Sequence, residues 1–244
     1  MALPEDKYTS NDYLNHNPSW DMGDSPWKAA AVAGFLKEEG LAPKTICEIG
    51  CGAGGVLLEL SEKLPGAEFC GYEIAPAAAR FWEKTKRNNV KFVLGDFIEL
   101  NKVRYDLVLL LDVIEHIGDP FTFLNGLHGA AEQYVFHIPL DLSALSVARE
   151  TPLLNVRHKV GHINYFTKNL ALELLKESGF DVITWRYTGA AFNSPQSTWK
   201  TKLAAIPRFI AYSLSKDWGA RLMGGETLLV LARSAEKTPV KFSL

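Results

Sequence analysis

Between Thr45 and Phe136, apolar runs of strand length alternate with segments of helical period, and few architectures accept that order. A strand, a helix and a second strand in the same direction close as a right-handed βαβ unit, so repetition builds a parallel sheet wrapped by helices. "TICEIG" reads as the first strand, and "VLLELSEKLPG" as a helix with Leu57, Leu60 and Leu64 on one face, stopped near Pro65 and Gly66. "EFCGYEI" is the second strand, "PAAARFWEKTKRNN" a helix opened by Pro76, and "VKFVLGD" the third strand. "YDLVLLLDV" is the most apolar run of the set, as a strand buried on both faces requires, and the sheet's middle is expected there.

A helix from Pro120 to Ala131 and the strand "QYVFHI" follow, and Pro139 is expected to stop that strand from continuing as a paired central one, because it has no N–H to donate. From Leu140 to Ile163 helix and turn signals mix. Thr167 then caps the helix "KNLALELLKES", Gly179 ends it, and "FDVITWRY" and "ETLLVLAR" read as the last two strands. Between them, residues 188–225 carry an amphipathic stretch interrupted at Pro207. With no internal repeat and no low-complexity linker, the 244 residues read as one domain.

A net charge of −2 provides no global basic field, which argues against nucleic acid as a partner. Three cysteines, Cys47, Cys51 and Cys70, form no even framework and fit a reducing compartment. No apolar run approaches the roughly 20 residues of a membrane span, and the first residues show no basic-then-apolar leader pattern, so a cytoplasmic protein with no transmembrane segment is expected.

The stretch "CEIGCGAGG" places four glycines within six positions directly after the first strand. Gly50, Gly52 and Gly55 satisfy the dinucleotide pattern G-x-G-x-x-G, while Glu48, Gly50, Gly52 and Gly54 satisfy E-x-G-x-G-x-G. Both put a ligand at the strand's carboxyl end and the next helix's N-terminus. Glu73, at the end of strand two, suits the hydroxyls of a ribose under either pattern. "GDF" at the end of strand three offers Asp96 to an adenine amino group and Phe97 to its ring, or is a surface turn. A nicotinamide enzyme asks for a tyrosine and a lysine four apart, which Tyr212 and Lys216 supply, but they fall in the late insertion.

The segment "YDLVLLLDVIEHIGDP" decides between the patterns, because it delivers Asp112, Glu115, His116 and Asp119 to the same sheet edge. With it the chain resembles the class I S-adenosylmethionine-dependent methyltransferases of the small-molecule type. "CEIGCGAGG" is similar to their first motif, "GYEIAP" to the acidic second, "GDFIEL" to the third and "DLVLLLDVIEHIGDP" to the fourth, while "GHINYFT" resembles the segment opening the helix before their last two strands. The resemblance implies S-adenosyl-L-methionine as cofactor. Glu48, Gly50, Gly52 and Gly54 would then surround its methionine part, the glycines making room for a bulky sulfonium nucleoside. Glu73 and Ile74 would meet the ribose, Asp96 and Phe97 the adenine, and Asp112 and Val113 the sulfonium. The fold expected is α/β: a doubly wound, Rossmann-like, mostly parallel seven-stranded sheet with an antiparallel last strand. An N-terminal helical cap covers 1–43, the core comprises 44–187 and 226–234, and a helical insertion occupies 188–225.

Methyl transfer to an oxygen or nitrogen of a small molecule needs alignment and, for a protonated acceptor, a base. His116 and His162 are the candidates. His158 and His162 are four apart, but "HKVGH" does not read as a stable helix, so no metal site is expected from that pair. His137, Tyr165, Tyr13, Trp20, Trp27 and Lys28 are candidate substrate or lid residues, with Tyr8 in the same aromatic stretch, and His16 and His128 are assigned to the surface. In the insertion, Trp199, Lys200, Lys202, Phe209 and Tyr212 are candidates for a second wall or a membrane-surface face. A protein of the same fold that binds the nucleoside without turnover is the alternative.

Overall fold

A computed structural model describes residues 17–20, 22–84, 87–193 and 205–235. Tyr8, Tyr13, His16, Trp199, Lys200 and Lys202 lie outside them. The strands are β1 (Thr45–Ile49), β2 (Glu68–Glu73), β3 (Val90–Leu94), β4 (Tyr105–Leu111), β5 (Ala131–Leu140), β6 (Phe180–Tyr187) and β7 (Glu226–Ser234). They form one seven-stranded sheet in the order β3-β2-β1-β4-β5-β7-β6. β1 to β5 pair in parallel, and β7 runs antiparallel between β5 and β6. The chain turns back past β1 to place β4 on its other side, which makes the carboxyl ends of β1 and β4 the switch point where open α/β sheets bind ligands.

Alternate residues of the central strands feed two cores. Ile46, Leu107, Leu109 and Val135 pack under α1 (Ser25–Glu38) and α2 (Gly55–Lys63), which contribute Ala29, Val32, Phe35, Leu57 and Leu60. Cys47, Val108, Leu110 and Phe136 face the other way. The next helices are α3 (Pro76–Ala79), α4 (Phe97–Leu100), α5 (Pro120–Gly126), α6 (Ala144–Arg149), α7 (Thr151–Lys159) and α8 (Lys168–Glu177). Leu124 of α5 and Ala171, Leu174 and Leu175 of α8 close the second core. α9 (Ala190–Asn193), α10 (Ala205–Leu214) and α11 (Lys216–Met223) lie between β6 and β7, in the interval read as an insertion. Among the described residues no helix is long and apolar enough to cross a membrane.

Two local expectations are corrected, and one is met. Past His137, β5 runs on to Leu140 paired only with β7, Pro139 lying opposite Thr227, so it does not continue as a strand paired on both sides. Its register with β4 ends at Leu111 and His137, so beyond that point the β4 flank has no ladder for a proline N–H to serve. The helix opened by Pro76 shortens to four residues followed by a 3₁₀ turn, Trp82–Lys84. His128 is half-buried, not a surface group, with Nε2 at 2.7 Å from the Ser178 carbonyl and Nδ1 at 3.1 Å from Ser234 Oγ.

Candidate active site

A cavity of about 680 Å³ opens at the carboxyl ends of β1, β2 and β4. Of the residues singled out from the sequence, Trp20, Lys28, Glu48, Gly50, Gly52, Glu73, Ile74, Asp112, Val113, His116 and His162 line it. Gly54, Trp27, Asp96, Phe97, His137 and Tyr165 do not.

The glycine loop is fastened to β2, since the Gly50 and Cys51 N–H groups donate to the Tyr72 carbonyl at 2.8 and 3.1 Å. Gly50, Gly52 and Gly54 take φ values of +72°, +52° and +81°, a region that side chains disfavour. A Cβ at Gly50 would also stand 2.9 Å from Val113, at Gly52 2.7 Å from the Trp20 ring, and at Gly54 2.4 Å from the Phe92 ring. Protein side chains occupy those three Cβ positions, while the Gly50 and Gly52 backbone lines the cavity. Trp82 braces the same loop, donating Nε1–H to the Gly52 carbonyl at 3.0 Å and stacking on Phe92. Sequence reasoning missed this brace, because its partners are far apart in the chain.

Glu73 is buried and holds both loops, with Oε2 accepting from Gly52 N and Oε1 from Ala75 N, each at 2.9 Å. Burial raises its pKa and those N–H groups oppose the rise. Glu48, 3% exposed, keeps Oε2 without a hydrogen-bond partner among the described residues. Burial pushes its carboxyl up to about 8, against the pull of Lys28 and with the help of Glu73 and Asp112.

Asp112 lies just past β4 in a left-handed conformation, φ +56°, which an aspartate tolerates better than most residues. Its Oδ2 meets Lys28 Nζ and its Oδ1 meets His137 Nδ1, both at 2.6 Å. Burial alone would raise the Asp112 pKa, but His137 and Lys28 overcome it and hold the carboxyl well below the usual range. His137 Nε2 in turn lies 2.8 Å from the hydroxyl of Thr227. His137 is therefore a buried support behind Asp112, with Trp27 edge-on to its ring, rather than a group at the pocket mouth. Asp96 caps α4, accepting from Ile98 N at 2.6 Å, and Phe97 is buried edge-to-face against Tyr72. Tyr165 donates to the Leu153 carbonyl at 3.4 Å.

His116 ends the 3₁₀ turn Ile114–His116, and its ring lies edge-on to that of His162, centroids 4.9 Å apart. His162 Nδ1 is 2.6 Å from Asp141 Oδ2, so the carboxylate fixes the proton on Nδ1 and the Nε2 lone pair looks away from Asp141. Asp141 carries no signal of its own in the sequence: it falls in the stretch from Leu140 to Ile163 where helix and turn signals mix. His158 is exposed on α7 and does not join this group. Tyr212 and Lys216 sit on different helices, with Ser215 capping the second, and neither lines the cavity.

A methyltransferase-domain family profile matches residues 28–184, well over half of the chain. The chain belongs to that methyltransferase family. Among curated relatives, rat acetylserotonin O-methyltransferase is 32% identical over 80 residues, 31% of this chain and 18% of that protein. The ubiquinone biosynthesis O-methyltransferase of Vibrio atlanticus is 33% identical over 95 residues, 36% of this chain and 39% of the relative. Both alignments span well under two thirds of the relative's length. Human N-acetylserotonin methyltransferase, solved with S-adenosylmethionine, superposes with a TM-score of 0.63 at 17% identity, covering 97% of this chain and 60% of that one. That likeness establishes the fold.

Proposed function

We propose that the chain is an S-adenosylmethionine-dependent methyltransferase that moves a methyl group to an oxygen or nitrogen of a small molecule by in-line displacement. The observation that carries this reading is the carboxylate lining of the cavity. Glu48, Glu73 and Asp112 line it, and the two buried glutamates ionise more easily beside a cation than alone, which suits a ligand with an ammonium and a sulfonium rather than the pyrophosphate of a nicotinamide dinucleotide. The Oε2 of Glu48, without a hydrogen-bond partner among the described residues, fits the ammonium, and Glu73 retains lone pairs for ribose hydroxyls after serving the two loops. Ile74 and Val113 supply apolar surface. Once bound, the cofactor supplies an electrophilic methyl on positively charged sulfur.

The protein's own part is alignment, exclusion of water and activation of the acceptor. Trp20 covers the glycine loop, and Lys28 locks Asp112, so the cofactor side is walled before the acceptor arrives. His116 and His162, which both line the cavity, activate the acceptor. The names of the two curated relatives, which specify O-methylation, support an oxygen acceptor. The three free thiols fit a cytoplasmic location.

Calorimetry with S-adenosylmethionine and S-adenosylhomocysteine, followed by assay of homocysteine-nucleoside release over a panel of aromatic hydroxyls and amines, tests the reading. Binding of both nucleosides with turnover of a panel member is expected. Binding of a nicotinamide dinucleotide in their place overturns it, and tight nucleoside binding with no turnover on any acceptor identifies a non-catalytic binding protein.

A further inference from the structure

Beyond the cofactor residues, two residues of the cavity wall, His116 and His162, stand against the buried Glu115. Glu115, His116 and His162 each turn one ligand-type atom toward the others, all within 4.8 Å of one another. Glu115 Oε1 is 3.8 Å from His116 Nε2 and 4.0 Å from His162 Nε2. Three donors bound to one ion at about 2.0–2.2 Å stand roughly 3–4 Å apart, so a small contraction suffices.

Two independent features point to a ligand, and a third holds the spacing. Glu115 is completely buried, and neither of its carboxylate oxygens has a hydrogen-bond partner among the described residues, a costly arrangement unless something else satisfies them. Asp141 accepts from His162 Nδ1, the carboxylate–histidine pairing that orients an imidazole so that its other nitrogen faces a metal. The spacing is also fixed by the backbone. The Glu115 carbonyl accepts from Ile163 N at 2.8 Å and Asn164 N at 3.0 Å, while Asn164 Nδ2 donates to the carbonyls of Ile114 and Ile117 at 3.2 and 2.7 Å. The turn after β4 and the segment carrying His162 are thereby joined independently of the three side chains.

We propose that Glu115, His116 and His162 bind one divalent first-row transition-metal cation of the zinc type, whose open position faces the cavity and takes the acceptor's hydroxyl oxygen. Two imidazoles and one carboxylate suit such an ion better than magnesium or calcium, which take oxygen-rich sets. Three protein ligands leave a position for substrate, and His116 and His162 both line the cavity. The role in catalysis rests on the proposed methyl transfer; the binding itself does not. The favoured acceptor is an aromatic or enolic hydroxyl. On the ion its O–H loses a proton to solvent, and the oxygen's electron pair forms the bond to the methyl carbon. The carbon–sulfur bond breaks with its pair moving to sulfur, giving an ether and a neutral thioether. Glu115 and the oxyanion together balance the ion's two charges, which limits its repulsion of the sulfonium.

The test uses the full chain freed of metal with a chelator and titrated with zinc or cobalt, with magnesium as the control. One equivalent of zinc is expected to bind and raise the melting temperature, and cobalt to give visible d–d absorption, while magnesium does neither. Glu115→Gln is expected to abolish the cobalt spectrum, and Asp141→Asn to weaken zinc by about 10–100-fold. S-adenosylmethionine affinity of the metal-free parent, measured alongside, separates this inference from the functional reading. Nucleoside binding without zinc binding overturns the metal site alone, and the converse overturns the functional reading alone. Zinc or cobalt bound equally by the parent, Glu115→Gln and His116→Gln places the ion elsewhere and overturns the site, even if one variant folds poorly.

Discussion

The loops after β1 and β2 and the turn after β4 line one cavity but handle buried charge in opposite ways. Glu48 and Glu73 are carboxylates raised in pKa by burial, and Glu48 keeps an oxygen without a hydrogen-bond partner among the described residues. Past β4, Asp112 is closed by Lys28 and His137, and Asp141 by His162. The first region is arranged to receive positive charge from a ligand. In the second, Asp112 and Asp141 already have partners, Glu115 is the carboxylate there left without a hydrogen-bond partner among the described residues, and His116 and His162 line the cavity. A sulfonium cofactor on one side and an acceptor that must give up a proton on the other is the chemistry this division serves.

The largest expected break comes on the acceptor side. His162→Ala should lower kcat by roughly 10²–10⁴, the usual loss when acceptor activation is removed, and leave S-adenosylmethionine affinity nearly unchanged. Single-turnover rates beside calorimetry on the same preparation decide it, and near-parental turnover would mean that positioning alone drives transfer.

On the cofactor side the effect should appear in affinity. Glu73→Ala removes charge-assisted hydrogen bonds, about 1.5–3 kcal/mol, and should weaken S-adenosylmethionine by roughly ten- to a hundred-fold. Because Glu73 also ties Gly52 to Ala75, ligand-free stability should fall as well. An unchanged affinity would show that the carboxylate serves the loops only.

A sharper contrast comes from protons. Ligand-free Glu48 titrates near 8 because burial, then Glu73 and Asp112, outweigh Lys28, whereas in the unfolded chain it ionises near its ordinary 4.5. The unfolded chain therefore binds fewer protons across that window, and ligand-free stability should fall as pH rises from about 4.5 to about 8. A ligand ammonium beside Glu48 would force ionisation, so binding at neutral pH should release a proton and affinity should climb by up to about tenfold per pH unit below that value. Calorimetry in buffers of different ionisation enthalpy measures the release; Glu48→Gln should remove it, and equal heats in all buffers for the parent would contradict the assignment.

How far the sequence led follows the same division. β1, the glycine loop, β2 with Glu73, and β4 with Asp112 are each specified by contiguous residues, through apolar runs and turn chemistry that act locally. Asp141 and Thr227 carry no local signal. Asp141 reaches its partner because β5 continues past Pro139, and Thr227 because antiparallel β7 pairs across that proline. Phe97 shows the reverse failure: a motif position that suggests stacking on a base is occupied by a ring sunk in the core beside Tyr72. Spacing along the chain identifies which groups reach the sheet edge, while their final direction depends on packing between distant segments.

The smallest effect concerns the one residue for which the motif and the geometry differ most. Asp96 Oδ1 accepts from Ile98 N at 2.6 Å and from Glu99 N at 3.3 Å, which is the work of an N-cap on α4. Replacing such a cap by alanine costs about 0.5–2 kcal/mol, and α4 has only four residues, so the lower part of that range applies. The cap therefore predicts that Asp96→Ala lowers the melting temperature slightly and changes S-adenosylmethionine affinity by less than about twofold. An adenine contact predicts the opposite pattern, since a lost hydrogen bond of about 1.4 kcal/mol is tenfold in affinity. Thermal melts of the ligand-free variant set against its calorimetric binding separate them. Tenfold weaker binding with an unmoved melting temperature would extend the cofactor side of the comparison to β3, and the expected result would end it at β2.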